Sequence, residues 1–430
     1  MPSIEIGRRA LVLALAAACL LPAGRLSAQP PAKDPHSFTI AVIPDTQNYV
    51  RYDRQTADGF PFDAAKLYLE QMTYVAGRAR SQGGDVVFAT HLGDVWQHPS
   101  LSMDPAHAAR GFKAAPSPLK SIVPSPKTRD IEMPTAAAGF DIIAGKLPFS
   151  VVPGNHDFDA VWTDSNHPPA AVIRGPDDIG VLHAGGLTNF VSVFGDQSRY
   201  FRDQDWYVAS NDGGADSAQV FMAGGYRFLH IGLQFDPPDS SLAWAADVIR
   251  RFPGLPTIVT THDYMNGDAE RVSGGGGHNA IDPQDNSPQM VWDKFISRHE
   301  QIFLVLCGHA EGQAFRVDDN QAGGKVYQVM SDYQGRAQTV RDAGSPPALF
   351  VGVGDGWLRL MDFDMARDVP SIHVHTYSTH YKVESRAAPD YAKWYKAGEK
   401  PKMTDAEFHA QDDFRIELTD FRARFGAPAK

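Results

Sequence analysis

Val151-Val152-Pro153-Gly154-Asn155-His156-Asp157 is the stretch whose reading decides the fold. Two β-branched residues end a short apolar run, Pro-Gly stops it, and an amide, an imidazole and a carboxylate follow in consecutive positions. Apolar runs bounded by such breakers read as buried strands. Polar side chains delivered at the C-terminal edge of a strand stand where open α/β sheets hold their ligands. An Asn beside a His at such an edge suits a metal ligand next to a proton donor, and other strand ends supply what would complete the site.

Upstream, the apolar run 38–43 is stopped by Pro44 and followed by Asp45-Thr46-Gln47. Side chains at i and i+2 point the same way while the backbone stays extended, so Asp45 and Gln47 would grip one object. Either residue alone also fits an Asx-type turn. Residues 63–80 carry Leu67, Leu69, Met72, Tyr74, Val75 and Ala79 at helical spacing, with Gly83-Gly84 as a stop. A second strand, 85–90, leads to His91-Leu92-Gly93-Asp94. Strand, helix, strand is a right-handed βαβ unit with parallel strands, which would bring Asp94 beside Asp45 at one sheet edge. Two buried carboxylates side by side demand protonation or cations.

Downstream, the strand 257–261 ends at His262, and the fully apolar strand 302–306 ends at Cys307-Gly308-His309-Ala310-Glu311. Between these landmarks, 99–134 reads as an inserted loop or short helices near the site's rim, 140–146 as a helix, and the long polar and aromatic segment 158–216 as a substrate-side wall. A hairpin is expected over 219–223 and 226–234 around Gly224-Gly225, with helices at 240–251 and 288–299. Gly274 to Gly277 is read as a flap, since no P-loop Lys accompanies it. The runs 326–330, 348–353, 357–363 and 372–377 read as antiparallel strands. His373 and His375 share a strand face with His380 nearby, a weaker metal candidate because no carboxylate accompanies them at a strand end. His91, His183 and His230 read as structural. Residues 386–430 read as a polar tail.

Composition is that of a globular protein, 43% hydrophobic and 21% charged over 430 residues. A net charge of -11 argues against a nucleic-acid partner, whose affinity comes largely from phosphate neutralisation. Arg8 and Arg9 precede an apolar run and a Leu26-Ser27-Ala28 box, the order of a secretory signal over 1–28; the run is too short for a membrane span. The arginine pair admits twin-arginine export as well as ordinary secretion, and 29–37 reads as a linker. Periplasmic or extracellular location is therefore expected, with no transmembrane helix in the mature chain. Cys19 would leave with the signal and Cys307 would remain alone, so no intrachain disulfide is available.

Asp45/Gln47, Asp94, Asn155/His156, His262 and His309/Glu311 thus recur in order after apolar strands. Over residues 38–335 this resembles the calcineurin-like metallophosphoesterase superfamily, whose pattern is Asp-x-His, Gly-Asp, Gly-Asn-His-Asp/Glu, His and Gly-His-x-His. The resemblance implies an α/β fold, a two-sheet β-sandwich flanked by helices in four αββα layers, over 38–385. It implies two divalent metal ions, the first held by Asp45, Gln47 and Glu311, the second by Asn155, His262 and His309, with Asp94 bridging. It further implies hydrolysis of phosphate esters by a metal-bridging water, with His156 as proton donor and Asp157 orienting it. Gln47 and Glu311 depart from the pattern, each standing where the family has His. An all-oxygen first site favours Mn, Fe, Mg or Ca, while the His-containing site also admits Zn. The Asp-Arg-Gly continuation of protein phosphatases and the Tyr ligand of purple acid phosphatases are missing after Asp94. Expected substrates are phosphomonoesters or phosphodiesters of small molecules, lipids or nucleotides. The other reading is a non-catalytic exported metal-binding protein with a degraded site, although such a site would have no use for His156.

Overall fold

The apolar runs that precede each polar strand end are strands, and their pairing is parallel where the site requires it. In the computed structural model, which describes residues 36–117, 119–174, 176–272, 282–345 and 351–428, the strands of two large sheets follow in chain order. They are β1 (Ser37–Ile43), β2 (Val86–His91), β3 (Phe149–Val151), β4 (Tyr207–Asn211), β5 (Asp216–Ala223), β6 (Tyr226–Leu233) and β7 (Thr257–Thr261). Then come β8 (Ile302–Cys307), β9 (Gly312–Asp319), β10 (Lys325–Asp332), β11 (Trp357–Asp364), β12 (Ser371–Ser378), β13 (Val383–Glu384) and β14 (Asp413–Glu417). The expected signal segment, nearly all of the linker and the Gly274 to Gly277 run lie outside the described residues.

The first sheet runs β13-β12-β11-β1-β2-β3, with β14 also paired to β12. The second runs β9-β10-β8-β7-β6-β5-β4. β1, β2 and β3 are mutually parallel, as are β6, β7, β8 and β10, so in each sheet their C-terminal ends share one edge. The sheets face each other across Phe38, Phe88, Phe221, Phe228 and Phe303, with the Phe88 and Phe221 rings stacked at 4.5 Å. Helices Ala65–Gly77 and Met133–Ile143 cover the outer face of the first sheet; helices Asp239–Arg251 and Pro288–Lys294 cover that of the second. The fold is therefore α/β, a two-sheet sandwich flanked by helices in αββα order. Helix Ala65–Gly77 buries Leu67, Tyr68, Met72 and Val75, one stripe of a 3.6-residue period. Among the described residues no helix is long and apolar enough to cross a membrane.

Several segments differ from the sequence reading. The segment 99–134 carries short helices, Pro105–Ala109 among them, as its alternative reading expected, but it also holds the start of helix Met133–Ile143, with Pro134 in its first turn, where a missing N–H costs nothing. The supposed wall 158–216 holds strands Ala160–Asp164 and Leu182–Gly185, which form a small sheet with Ala114–Ala115. Its aromatic residues Phe190, Phe194, Tyr200 and Phe201 are buried in the core beneath the first sheet, because ring burial outweighs the polar residues between them. Residues 351–354 form no strand.

The supposed polar tail is part of the domain. Helices Tyr391–Glu399 and Asp405–Asp412 lead into β14, which pairs antiparallel with β12. Its polarity is spent inside: buried Asp412 accepts from Tyr333 (2.9 Å), Tyr391 (2.6 Å), Thr376 (3.0 Å) and Arg359 (2.8 Å). The same segment supplies the carboxylate that His373 lacks in local sequence. His373 meets Asp413 at 2.9 Å, while His375 lies between Glu384 (2.8 Å) and Asp362 (3.0 Å), the two rings stacked at 4.8 Å. His380 stands apart, 3.9 Å from Glu70.

Burial opposes a charge on His375, but Asp362 and Glu384 outweigh it and push its pKa up to about 9. A raised folded pKa means that these pairs stabilise the fold fully below the unfolded value of 6.5 and lose that contribution as pH rises through about 9. His375→Asn is expected to lower unfolding free energy by about 2 kcal/mol near pH ~6, the full shift being discounted because Asp362 is partly exposed. Near pH ~10 the deficit should largely vanish. Denaturant titrations of both proteins at both pH values measure the gap, and a gap independent of pH would refute the charge pairing.

Candidate metal centre

Parallel pairing brings the polar ends of β1, β2, β3, β7 and β8 to one edge, where the two sheets are tied together by hydrogen bonds. The Asp94 carbonyl accepts from the N–H groups of Thr46 (3.1 Å) and Gln47 (2.9 Å), joining the loops after β1 and β2. Across the gap, Phe235 N–H donates to the Pro153 carbonyl (3.0 Å) and His309 N–H to Asp45 Oδ2 (3.2 Å). His262 donates Nδ1–H to the Leu92 carbonyl (2.8 Å), which leaves Nε2 as the ring's ligand atom. That nitrogen lies 3.1 Å from Asn155 Oδ1, 3.1 Å from His309 Nδ1 and 3.3 Å from Asp94 Oδ1. Asp94, at φ 52°, and His309, at φ 66°, both adopt left-handed backbone, which side chains other than Gly take up at a cost and which recurs at functional sites.

The donor set fits a cation. One proton on His262 Nε2 satisfies only one of the three acceptors around it, whereas a metal ion satisfies all of them. Asp94, His262 and His309 together form a group able to hold a metal ion. Two further oxygens, Asp45 Oδ1 and Gln47 Oε1, are buried without a hydrogen-bond partner. Burial and the charges of Asp332 and Asp94 hold the Asp45 carboxyl well above its ordinary range, the strain a cation relieves. Asp94 spans both groups: Oδ1 faces His262, and Oδ2 accepts from Gln47 Nε2 at 2.8 Å. Burial favours its neutral form, yet His262 and His156 outweigh burial and hold it ionised, well below the usual carboxylate range. Glycines make the approach possible. A Cβ on Gly154 would meet Asp94 Oδ1 at 2.3 Å, and one on Gly308 would meet Asp45 Oδ1 at 2.3 Å.

The structure corrects three expectations. Gln47 opens the short helix Gln47–Val50, so it does not share an extended face with Asp45; it reaches the site through Asp94 instead. Glu311 stands at the rim against Gly335, near enough to Asp332 to raise its pKa, and the left-handed turn at His309 means that Glu311 does not share an extended face with His309. Asp157 does not orient His156. Its buried carboxylate accepts from the N–H groups of Val95 (2.8 Å), Trp96 (3.3 Å) and Gly154 (2.8 Å), stapling the loop after β2 to the loop after β3. The Gln97 carbonyl does the orienting: it accepts from His156 Nδ1 at 2.6 Å, which leaves Nε2 as the ring's other nitrogen.

Two further residues belong to the site. Asp332, buried at the end of β10, lies close enough to raise the Asp45 pKa and is itself pushed up to about 8 by burial and by Glu311. It follows an apolar strand as the others do, but that strand was read as antiparallel, whereas it runs parallel to β8. Glu132 is buried and accepts from the backbone of Tyr52 (3.1 Å), Gln97 (3.3 Å) and His98 (3.0 Å), which fixes the loop carrying Gln97. Two other groups of metal-ligating type occur among the described residues, His107 with His183 and Asp282, and Asp362 with His373 and His375.

No protein-family model matches the chain. It is 24% identical over 234 residues to the uncharacterized protein YvnB of Bacillus subtilis (strain 168), a match covering 53% of this chain and 16% of that protein. The chain thus spans less than a fifth of that relative's length. Among solved structures it is similar to GAP50, the anchor in the inner membrane complex of Plasmodium, with a TM-score of 0.35, 10% identity, and coverage of 81% of this chain and 86% of that one.

The separate duties of neighbouring residues are testable without substrate. Asp157→Ala strips three buried N–H groups of their shared acceptor and is expected to destabilise the metal-free chain by about 3 kcal/mol or more. His156→Ala, at a half-buried ring, should change stability by no more than about 1 kcal/mol. Thermal melts of the two variants decide it, and equal effects would contradict the division.

Proposed function

We propose that the chain is a metal-dependent phosphoesterase of the calcineurin-like type, exported from the cell, with two divalent cations at the common edge of its sheets. The observation that carries this reading is the meeting of Asp45, Asp94, Asn155, His262 and His309 from five strand ends, with the His156 ring held beside them and outside the donor set. A site that only stored a metal would have no use for that ring. Asp45 and Gln47 offer oxygens for one cation; Asn155, His262 and His309 offer donors for the other, with Asp94 between them. Asp332 is the acidic neighbour that takes the place expected for Glu311.

Bound there, two cations would supply positive charge to phosphoryl oxygens and a water of lowered pKa. The chain's own residues do the rest. The Leu92 carbonyl holds the Nδ1 proton of His262, so Nε2 is the nitrogen that gives up its proton and turns to a cation. His156 N–H holds Asp94 Oδ1 at 2.9 Å, keeping the carboxylate aligned between the two donor groups. The His156 ring, anchored through Nδ1, presents Nε2 where a protonated imidazole would give its proton to the departing alcohol oxygen. Buried Val95 and Trp96 exclude water beneath the loop that carries Gln97. The hard oxygen donors of Asp45 and Gln47 favour Mn, Mg, Ca or Fe on that side.

The purified chain, loaded with Mn, Mg or Zn, should hydrolyse 4-nitrophenyl phosphate or its bis-ester and carry two metal equivalents by elemental mass spectrometry. Asp94→Ala should lose both metal and activity. His156→Ala should keep its metal while turnover falls by about 10²- to 10⁴-fold. Full metal occupancy without hydrolysis of either ester would instead support a non-catalytic metal-binding protein.

A further inference from the structure

A cavity of about 260 Å³ adjoins the metal centre, and its charge is the opposite of what a phosphate needs. Its aromatic wall is Phe235, whose ring centroid lies 6.0 Å from that of His262 and 5.9 Å from that of His309, together with Phe158, edge-on to Phe235 at 6.3 Å. Phe158 directly follows the Asn155-His156-Asp157 turn. The cavity is therefore next to the reacting centre and shares a wall with it.

The remaining lining is ionic. His107 sits between Asp104 and Asp282, 2.6 Å from each, and Arg110 pairs with Asp282. Those four groups balance one another. Asp236 and Asp285 also line the cavity; His107 and Arg110 act on Asp285, whereas neither is among the groups that act on Asp236. Asp236 is only 4% exposed, and its Oδ1 has no hydrogen-bond partner. Burial and repulsion from Asp263 and Asp285 outweigh the charge of His262 and hold its pKa well above the ordinary carboxylate range. Leaving such a group unpaired is unfavourable unless a ligand brings the missing charge. A phosphoryl group would be repelled, so the cation must belong to the other end of the substrate. Carboxylates together with aromatic faces are the chemistry that recognises ammonium groups.

Building on the phosphoesterase reading, we propose that this cavity is the subsite for the substrate's alcohol portion and that it takes an ammonium-bearing alcohol of the choline or ethanolamine type. In the reaction the water oxygen bonds to phosphorus, the bond between phosphorus and the alcohol oxygen breaks, and that oxygen takes a proton. Phosphocholine and water thus become choline and inorganic phosphate, with no oxidant or co-reactant. Asp236 and Phe158 are specificity-determining residues that hold the ammonium end.

The test uses the full metal-loaded chain and two readouts. Calorimetric titration should detect choline binding, with no comparable binding of 3,3-dimethylbutan-1-ol, which has the same shape without charge. Asp236→Asn should weaken choline binding about tenfold or more, and Asn tolerates the positive φ of 43° at that position. Phe158→Leu, which keeps bulk and removes the ring face, should weaken it about threefold. In the second readout, phosphate release should favour phosphocholine over 3,3-dimethylbutyl phosphate in kcat/KM, and Asp236→Asn should abolish that preference. Equal binding of the charged and neutral alcohols, or an Asp236→Asn variant that folds and binds choline as the wild type does, would overturn the subsite. Choline binding lost in Asp236→Asn, without hydrolysis of any ester, would uphold the cation subsite and overturn the phosphoesterase reading alone.

Discussion

His262 gives its Nδ1 proton to the carbonyl of Leu92 across the gap between the two sheets, and the site is built outward from that bond. It fixes the tautomer, aims Nε2 at Asp94, Asn155 and His309, and sets the separation of the loops after β2 and β7. A Cβ on Gly93 would come within 2.6 Å of the same ring nitrogen, so the residue before Asp94 has to be glycine for the sheets to close this far. Removing the bond would leave a buried imidazole free to choose its tautomer, and the donors around it would lose their common focus.

The loops that carry the donors are irregular backbone in a buried place, and such backbone must find hydrogen bonds somewhere. Here buried carboxylates supply them. Asp157 collects the N–H groups of Val95, Trp96 and Gly154; Glu132 collects those of Tyr52, Gln97 and His98. Farther out, Asp412 does the same service for the side chains of Arg359 and Thr376 on the first sheet and of Tyr333 at the end of β10. The single cysteine among the described residues, Cys307, is buried and free, so these ionic staples and the aromatic core do the cross-linking that disulfides do elsewhere. The donor set and the acidic, aromatic cavity beyond Phe235 stand on two sides of one aromatic wall.

Much of the site was legible from local pattern. An apolar run, a breaker and a polar side chain marked Asp45, Asp94, Asn155, His156, His262 and His309, and each stands at a strand end on one edge. The residues that pattern misjudged were those whose role depends on a partner distant in sequence. Asp157 looked like a helper of its neighbour His156, but a tight turn sends adjacent side chains apart, and its true partners lie about sixty positions upstream. Glu311 enters as a ligand only through the resemblance, and the left-handed turn at His309 takes it off the extended face that local spacing would give. Asp332 looked ordinary because only the pairing of β10 reveals that it runs parallel to β8 and ends beside Asp45.

By itself the sequence determined the order of strands, the parallel units and the donor types at their ends, because hydrophobic period and breakers act over a few residues. Tertiary structure decided which polar groups converge on one point and which are staples, turned a polar C-terminal stretch into a strand and an ion network, and put an acidic pocket against the aromatic wall of the site. Those outcomes depend on which chain segments approach one another, and burial converts a polar residue from solvated surface into an obligatory partner only after they have met.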